Sequence, residues 1–136
     1  MKTIPCIFLV EDDIDDQELL EDAMRAIDPS VVLVSFMYGR KFIEELEDTA
    51  SESLPQLIIL DYNIPEINGV DLLRYLNGNT RYQHISKVVW STSNSDRFKT
   101  DCLSLGAKEY IVKPSNYAGM SALAQTFLSF CNGEHS

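Results

Sequence analysis

The sequence predicts an α/β fold, a doubly wound parallel sheet made of five consecutive βα units. Three observations carry that reading. Short apolar runs rich in β-branched residues recur five times, the stretches between them hold apolar residues at helical spacing, and the runs show no polar alternation. Strands without alternation are those covered on both faces. In order, residues 4–10 form the first run, followed by Leu19, Leu20, Ala23, Met24 and Ile27 on one face at period 3.6. Residues 31–36 precede Phe42, Ile43 and Leu46, and residues 56–60 precede Val70, Leu73 and Leu76, with Asn77 and Gly78 as a C-cap. Residues 87–90 lead into 96–105, where Phe98, Cys102 and Leu103 give the sparsest helical pattern. Residues 109–112 form the last run, before Met120, Leu123, Ala124, Phe127 and Leu128. Residues 48–55 read as a polar loop. Strand and helix alternating in this way imply right-handed crossovers, with helices on both faces of the sheet.

Composition narrows the function classes. With 136 residues, 45% hydrophobic and 24% charged, the chain reads as one soluble domain, residues 1–136, with no separate output domain. Eleven Lys and Arg against 21 Asp and Glu leave a net charge of −10, which repels phosphate backbones and anionic headgroups. Neither a nucleic acid nor membrane insertion is expected. Cys6, Cys102 and Cys131 form no CxxC or zinc pattern and their number is odd, so they read as buried or incidental thiols in a reducing compartment. No signal-like or membrane-length apolar segment is present, and the expected location is cytoplasmic.

A sheet of this kind places its site at the carboxyl ends of the strands. The residues there are Glu11, Asp12 and Asp13, then Asp61, Tyr62 and Asn63, then Ser91 and Thr92, then Lys113 and Pro114. Glu11, Asp12 and Asp61 brought together repel one another unless a hard divalent cation sits among them, and oxygen ligands suit Mg2+. Asp15 and Asp16 read as helix-capping acids favoured by the dipole, and Asp13 fits either role. Asp61 emerges from the most apolar run, where a carboxylate could cap a turn or attack phosphorus as a nucleophile. Mg2+ on one side and Lys113 on the other would neutralise a transferring phosphoryl group, and Ser91 would donate a hydrogen bond to it.

These residues resemble the receiver domain of bacterial two-component response regulators, especially the stand-alone chemotaxis type. The resemblance rests on Phe8-Leu9-Val10-Glu11-Asp12-Asp13, on Asp61-Tyr62-Asn63-Ile64-Pro65 with Asn68-Gly69, on Val88-Val89-Trp90-Ser91 and on Lys113-Pro114. It implies a flavodoxin-like sheet in the order 2-1-3-4-5. It also implies that Asp61 accepts a phosphoryl group from a sensor histidine kinase or a histidine phosphotransfer protein. By the same resemblance Glu11, Asp12 and Asp61 hold Mg2+ with the Asn63 carbonyl, Lys113 pairs with the phosphoryl group, and Ser91 is the switch hydroxyl. Tyr110 resembles the aromatic switch residue, or serves as a half-buried core aromatic, and the Lys113-Pro114 bond resembles one that is usually cis. Two features depart from the family pattern: Glu11 stands where many members have Asp, and the loop 48–55 is long. The stretch 79–87 is similar to single-domain regulators paired with phytochrome-type kinases.

The function expected is a switch in which phosphorylation reshapes a surface from the fourth strand to the fifth helix and so changes binding of a downstream protein. A phosphorelay shuttle to a histidine phosphotransfer protein is the alternative within the class. An aspartyl-nucleophile phosphohydrolase usually carries a second Asp two residues after the nucleophile, where this chain has Asn63. A flavin-type binder needs a phosphate-cradling loop after the first strand, and Glu11-Asp12-Asp13 repels phosphate. His84 and His135 belong to no catalytic or metal pattern, and no P-loop or GxGxxG is present.

Overall fold

A computed structural model describes residues 4–131; His135 lies outside them. Five parallel strands, β1 (Cys6–Val10), β2 (Val32–Phe36), β3 (Leu57–Asp61), β4 (Ser86–Ser91) and β5 (Glu109–Val112), alternate with five helices. These are α1 (Ile14–Ile27), α2 (Gly39–Asp48), α3 (Gly69–Asn77), α4 (Asp96–Ser104) and α5 (Tyr117–Cys131). The strand order is β2-β1-β3-β4-β5, the flavodoxin-like arrangement.

Alternation of side chains along each strand divides the core into two layers. Ile7, Leu9, Leu57, Ile59, Val88 and Trp90 pack with Leu20, Ala23 and Met24 of α1 and with Met120, Ala124 and Phe127 of α5. Phe8, Val10, Ile58, Leu60 and Val89 face Phe42, Leu46, Leu72, Leu73 and Leu76 on the other side. The three central strands are covered on both faces as expected, β3 entirely so. The edge strands are not: Val32 and Val112 are exposed, because each has a neighbour on one side only. Likewise Leu19 and Ile27 lie outside the buried stripe of α1, which is narrower than the run of apolar residues suggested.

Several boundaries differ from the sequence reading. Asp61 and Ser91 are the last residues of their strands rather than the first of the following loops. Their backbones are therefore held by the sheet: Asp61 pairs with Trp90 in register, and Tyr62 N–H donates to the Trp90 carbonyl at 3.1 Å. Gly78 caps α3 as expected, at φ −82° in an ordinary right-handed conformation. The loop 48–55 contains a 3-10 turn, Ser51–Ser53. The Lys113-Pro114 bond is trans, correcting the expected cis form; trans is the default even for X-Pro bonds, by about 0.5–1 kcal/mol.

The stretch 79–87 has a structural task. Arg81 caps the end of α2, its guanidinium donating to the Leu46 carbonyl at 2.9 Å and to the Thr49 carbonyl, with Ser51 Oγ and the Tyr82 hydroxyl as further partners. A fork of fixed donors thus satisfies carbonyls that a helix C-terminus leaves open.

Candidate functional site

The carboxyl ends of β1, β3 and β5 converge on one ammonium. Lys113 Nζ lies 2.7 Å from Glu11 Oε1, 2.9 Å from Asp16 Oδ2 and 3.1 Å from Asp61 Oδ2. The sheet places two of these acids directly: Glu11 N–H donates to the Phe36 carbonyl at 2.9 Å, and Asp61 ends the buried strand β3. Lys113 is fixed just after β5 by its own N–H, which donates to the Ser91 carbonyl at 2.7 Å. Its ammonium also stands 5.0 Å from the centre of the Trp90 ring, a cation–π contact on the side away from solvent.

Three carboxylates therefore meet one cation. Glu11 is fully buried and Asp61 nearly so, and both bury charge at a cost. Burial, and after it the neighbouring Asp61 carboxylate, push the Glu11 carboxyl up to about 8, against the opposing pull of the Lys113 ammonium. Burial alone would lower the Lys113 pKa, yet Glu11, Asp16 and Asp61 outweigh it and hold the ammonium above its usual range. The remaining lone pairs are mostly taken: Glu11 Oε2 accepts from Asp13 N–H at 3.0 Å, and Asp61 Oδ1 from Asn63 N–H at 3.0 Å. Glu11 Oε1 is the exception. The Lys113 ammonium stands 2.7 Å away as its ion-pair partner, and no further donor satisfies this buried oxygen.

That unsatisfied oxygen bears on the metal expected from the sequence. Glu11, Asp12 and Asp61 each offer a carboxylate oxygen, and these atoms lie within 4.8 Å of one another. Three hard anionic donors, one lacking a hydrogen bond, fit an oxygen-seeking divalent cation such as Mg2+. Asn63 is exposed in the loop after β3, adjoining this group.

Ser91 is buried at the end of β4, and its Oγ accepts from Ser93 N–H at 3.0 Å. Tyr110, half-buried on β5, donates its hydroxyl to the Ser93 carbonyl at 2.8 Å. It meets Tyr62 edge-on at 6.4 Å, and Tyr62 stacks on Phe98 of α4 with ring centres 4.2 Å apart. The residue after the buried aspartate is thus joined through aromatic rings to α4 and β5.

Sequence reasoning assigned Asp16 to helix capping, and that is corrected here. Asp13 caps α1, accepting from Asp16 N–H, while the Asp16 carboxylate reaches Lys113. A signal was available: Asp16 continues the buried stripe of Leu20, Ala23 and Met24 toward the strand ends, and a carboxylate on an apolar face calls for a cation. The contact of Gly69 with the backbone of Asp61 and Tyr62 was also missed. Neither His84, exposed in its loop, nor any cysteine approaches the site's carboxylates in the interactions described.

A five-stranded doubly wound sheet with acids and a lysine gathered at its carboxyl edge defines the class, and comparison with known proteins gives the family. Residues 7–125 match the response regulator receiver domain, and the chain belongs to that family. It is 28% identical to the two-component response regulator ORR5 of Oryza sativa subsp. japonica over 124 residues, 91% of this chain and 89% of that protein. The structure of the phosphorylated cyanobacterial phytochrome response regulator RcpA superposes with a TM-score of 0.85 at 26% identity, covering 95% of this chain and 94% of RcpA. A receiver domain from Rhodospirillum rubrum gives 0.81 at 30% identity, with 92% of each chain covered. The Mn2+-bound response regulator Rcp1 gives 0.81 at 25%, with 94% of each covered. Among the described residues no helix is long and apolar enough to cross a membrane.

Proposed function

We propose that this receiver is a phosphorylation-driven switch in which Asp61 takes a phosphoryl group from the phosphohistidine of a sensor histidine kinase or a histidine phosphotransfer protein. The observation that carries this reading is the Lys113 ammonium 3.1 Å from an Asp61 oxygen, beside the three-carboxylate group. In the transfer an Asp61 carboxylate oxygen bonds to phosphorus, the phosphorus–nitrogen bond breaks, and its electron pair returns to the donor imidazole. Lys113 neutralises the charge gathering on the phosphoryl oxygens, and Ser91 supplies a hydroxyl hydrogen bond once its side chain turns from Ser93. Glu11, Asp12 and Asp61, with the Asn63 backbone carbonyl, would hold Mg2+, whose double charge offsets that of the carboxylates and the incoming phosphoryl group. The protein is a phosphoacceptor that promotes its own modification rather than an enzyme turning over a free substrate.

The surface that reads the phosphorylated state is assigned to β4, α4, β5 and the start of α5. Movement of Ser91 toward the phosphoryl group would withdraw its Oγ from Ser93 N–H, and the Ser93 carbonyl holds the Tyr110 hydroxyl. Tyr110 and α4 would shift with it, changing the face offered to a downstream protein. The likeness to RcpA, together with that of residues 79–87 to phytochrome-paired regulators, favours a phytochrome-type kinase as donor. Labelled phosphohistidine protein mixed with this chain should pass its phosphoryl group to the wild type and not to Asp61→Asn. Equal labelling of both would overturn the assignment.

A further inference from the structure

The third carboxylate at Lys113, Asp16, has no part in the cation group, and that separation suggests its role. Glu11 and Asp61 contribute oxygens both to the lysine and to the cluster of three, so a cation bound there competes with Lys113 for the same atoms. Asp16 does not. Its Oδ2 accepts from Lys113 Nζ at 2.9 Å, from the first turn of α1. Among the carboxylates around the ammonium it is the one whose contact is independent of the metal and of the phosphoryl group.

We infer that Asp16 is a positioning residue that retains Lys113 at the site when the cation takes over Glu11 and Asp61. This rests on the phosphoacceptor reading above and adds a residue to it. With Asp16 present, metal binding need not strip the ammonium of every partner, because one anionic hydrogen bond remains. With Asp16 neutralised, the ammonium must draw on Glu11 and Asp61 alone, and an incoming cation has to displace it more completely. The Trp90 ring, 5.0 Å from the ammonium, offers weak attraction and no replacement for a carboxylate. Asp16 is partly solvent-exposed, its side chain 25% accessible, so the effect is moderate rather than absolute.

Fluorescence of Trp90, the sole tryptophan, reports on the ammonium beside it and provides a binding signal separate from phosphorylation. Mg2+ titrations should be run on the wild type, Asp16→Asn, Asp16→Glu and Asp15→Asn, the last making the same charge change on an exposed neighbour. Asp16→Asn is expected to weaken Mg2+ about tenfold, as loss of a charged hydrogen bond would. Asp16→Glu should restore most of that loss, and Asp15→Asn should change the affinity by less than about twofold. In a Lys113→Gln background the effect of Asp16→Asn should disappear, since the ammonium it acts through is gone. Equal effects of Asp16→Asn and Asp15→Asn, or an undiminished effect without Lys113, would overturn the inference while leaving the phosphoacceptor reading intact. A folded wild type that neither binds Mg2+ nor accepts phosphoryl groups would overturn both.

Discussion

Gly69→Ala tests whether the backbone carrying Asp61 is as tightly enclosed as the packing indicates. A methyl group at Gly69 would stand 2.8 Å from the Asp61 carbonyl oxygen and 3.1 Å from Tyr62 Cα, both main-chain atoms that no rotamer change can move. The same segment is tied down by the Gly69 N–H, which donates to the Tyr62 carbonyl at 3.0 Å. Relief therefore requires α3 to move away or the end of β3 to shift, each by roughly half an ångström, and overpacking of that kind costs about 1–3 kcal/mol. Replacing glycine restores about 0.5–1 kcal/mol through the reduced freedom of the unfolded chain; with two main-chain contacts the cost falls in the middle and upper part of the overpacking range, leaving a net loss of about 1–2 kcal/mol. For a domain of this size that corresponds to a Tm lower by roughly 3–7 °C. Circular dichroism melts of the metal-free protein measure it, and phosphoryl transfer to Asp61 should slow in parallel because the carboxylate is displaced. Gly78→Ala is the comparison: its new methyl meets one main-chain atom, the Arg74 carbonyl oxygen at 3.1 Å, on an ordinary backbone, so a smaller loss is expected. An unchanged or raised Tm for Gly69→Ala, with normal phosphorylation, would refute the close-packing argument.

Three further outcomes follow from named contacts. Arg81→Ala removes the fork that caps α2 and should cost about 2 kcal/mol in urea unfolding, with Arg81→Lys recovering only part; no loss would show the carbonyls are equally well served by water. Burial, aided by Asp101, pushes the Cys102 thiol from 9.0 up to about 11, so between those values the unfolded chain releases a proton that the folded chain keeps. Stability attached to this group is complete below about pH 9 and falls as pH rises toward about 11; Cys102→Ala should show a shallower decline between about pH 9 and pH 11, and an unchanged slope would contradict it. Phe98→Ala removes the ring stacked on Tyr62 and should loosen α4, read as faster amide exchange across Asp96–Ser104 with Asp61 still accepting phosphoryl groups. Unaltered exchange there would show that the stack does not anchor the helix.

Much of this structure could be read in the sequence because its signals were periodic. The three central strands were legible as unbroken apolar runs, and the α5 stripe of Met120, Leu123, Ala124, Phe127 and Leu128 is buried throughout. Edge strands β2 and β5 looked the same in sequence, since a β-branched run does not reveal whether a second neighbour will pair with it. At the site, Glu11, Asp12, Asp61 and Lys113 were accessible to a rule about strand ends, and the structure brings them together. Asp16 escaped that rule because it lies a helical turn beyond β1, where capping by acids is common enough to hide a half-buried ion pair. The approach of Gly69 to Asp61 and the Tyr62–Phe98 stack depend on how α3 and α4 lean on the sheet, which no local pattern encodes.

The central claim is that the carboxylate at the end of β3 becomes phosphorylated with the aid of a divalent cation beside it. Intact-mass measurement after incubation with acetyl phosphate tests it most directly, with Mg2+, with EDTA in its place, and on Asp61→Ala. A single phosphoryl adduct that requires Mg2+, disappears with EDTA and is absent from the variant is the result predicted. An adduct that persists in EDTA or in Asp61→Ala, or none on the wild type even with a phosphorylated kinase supplied, would contradict it.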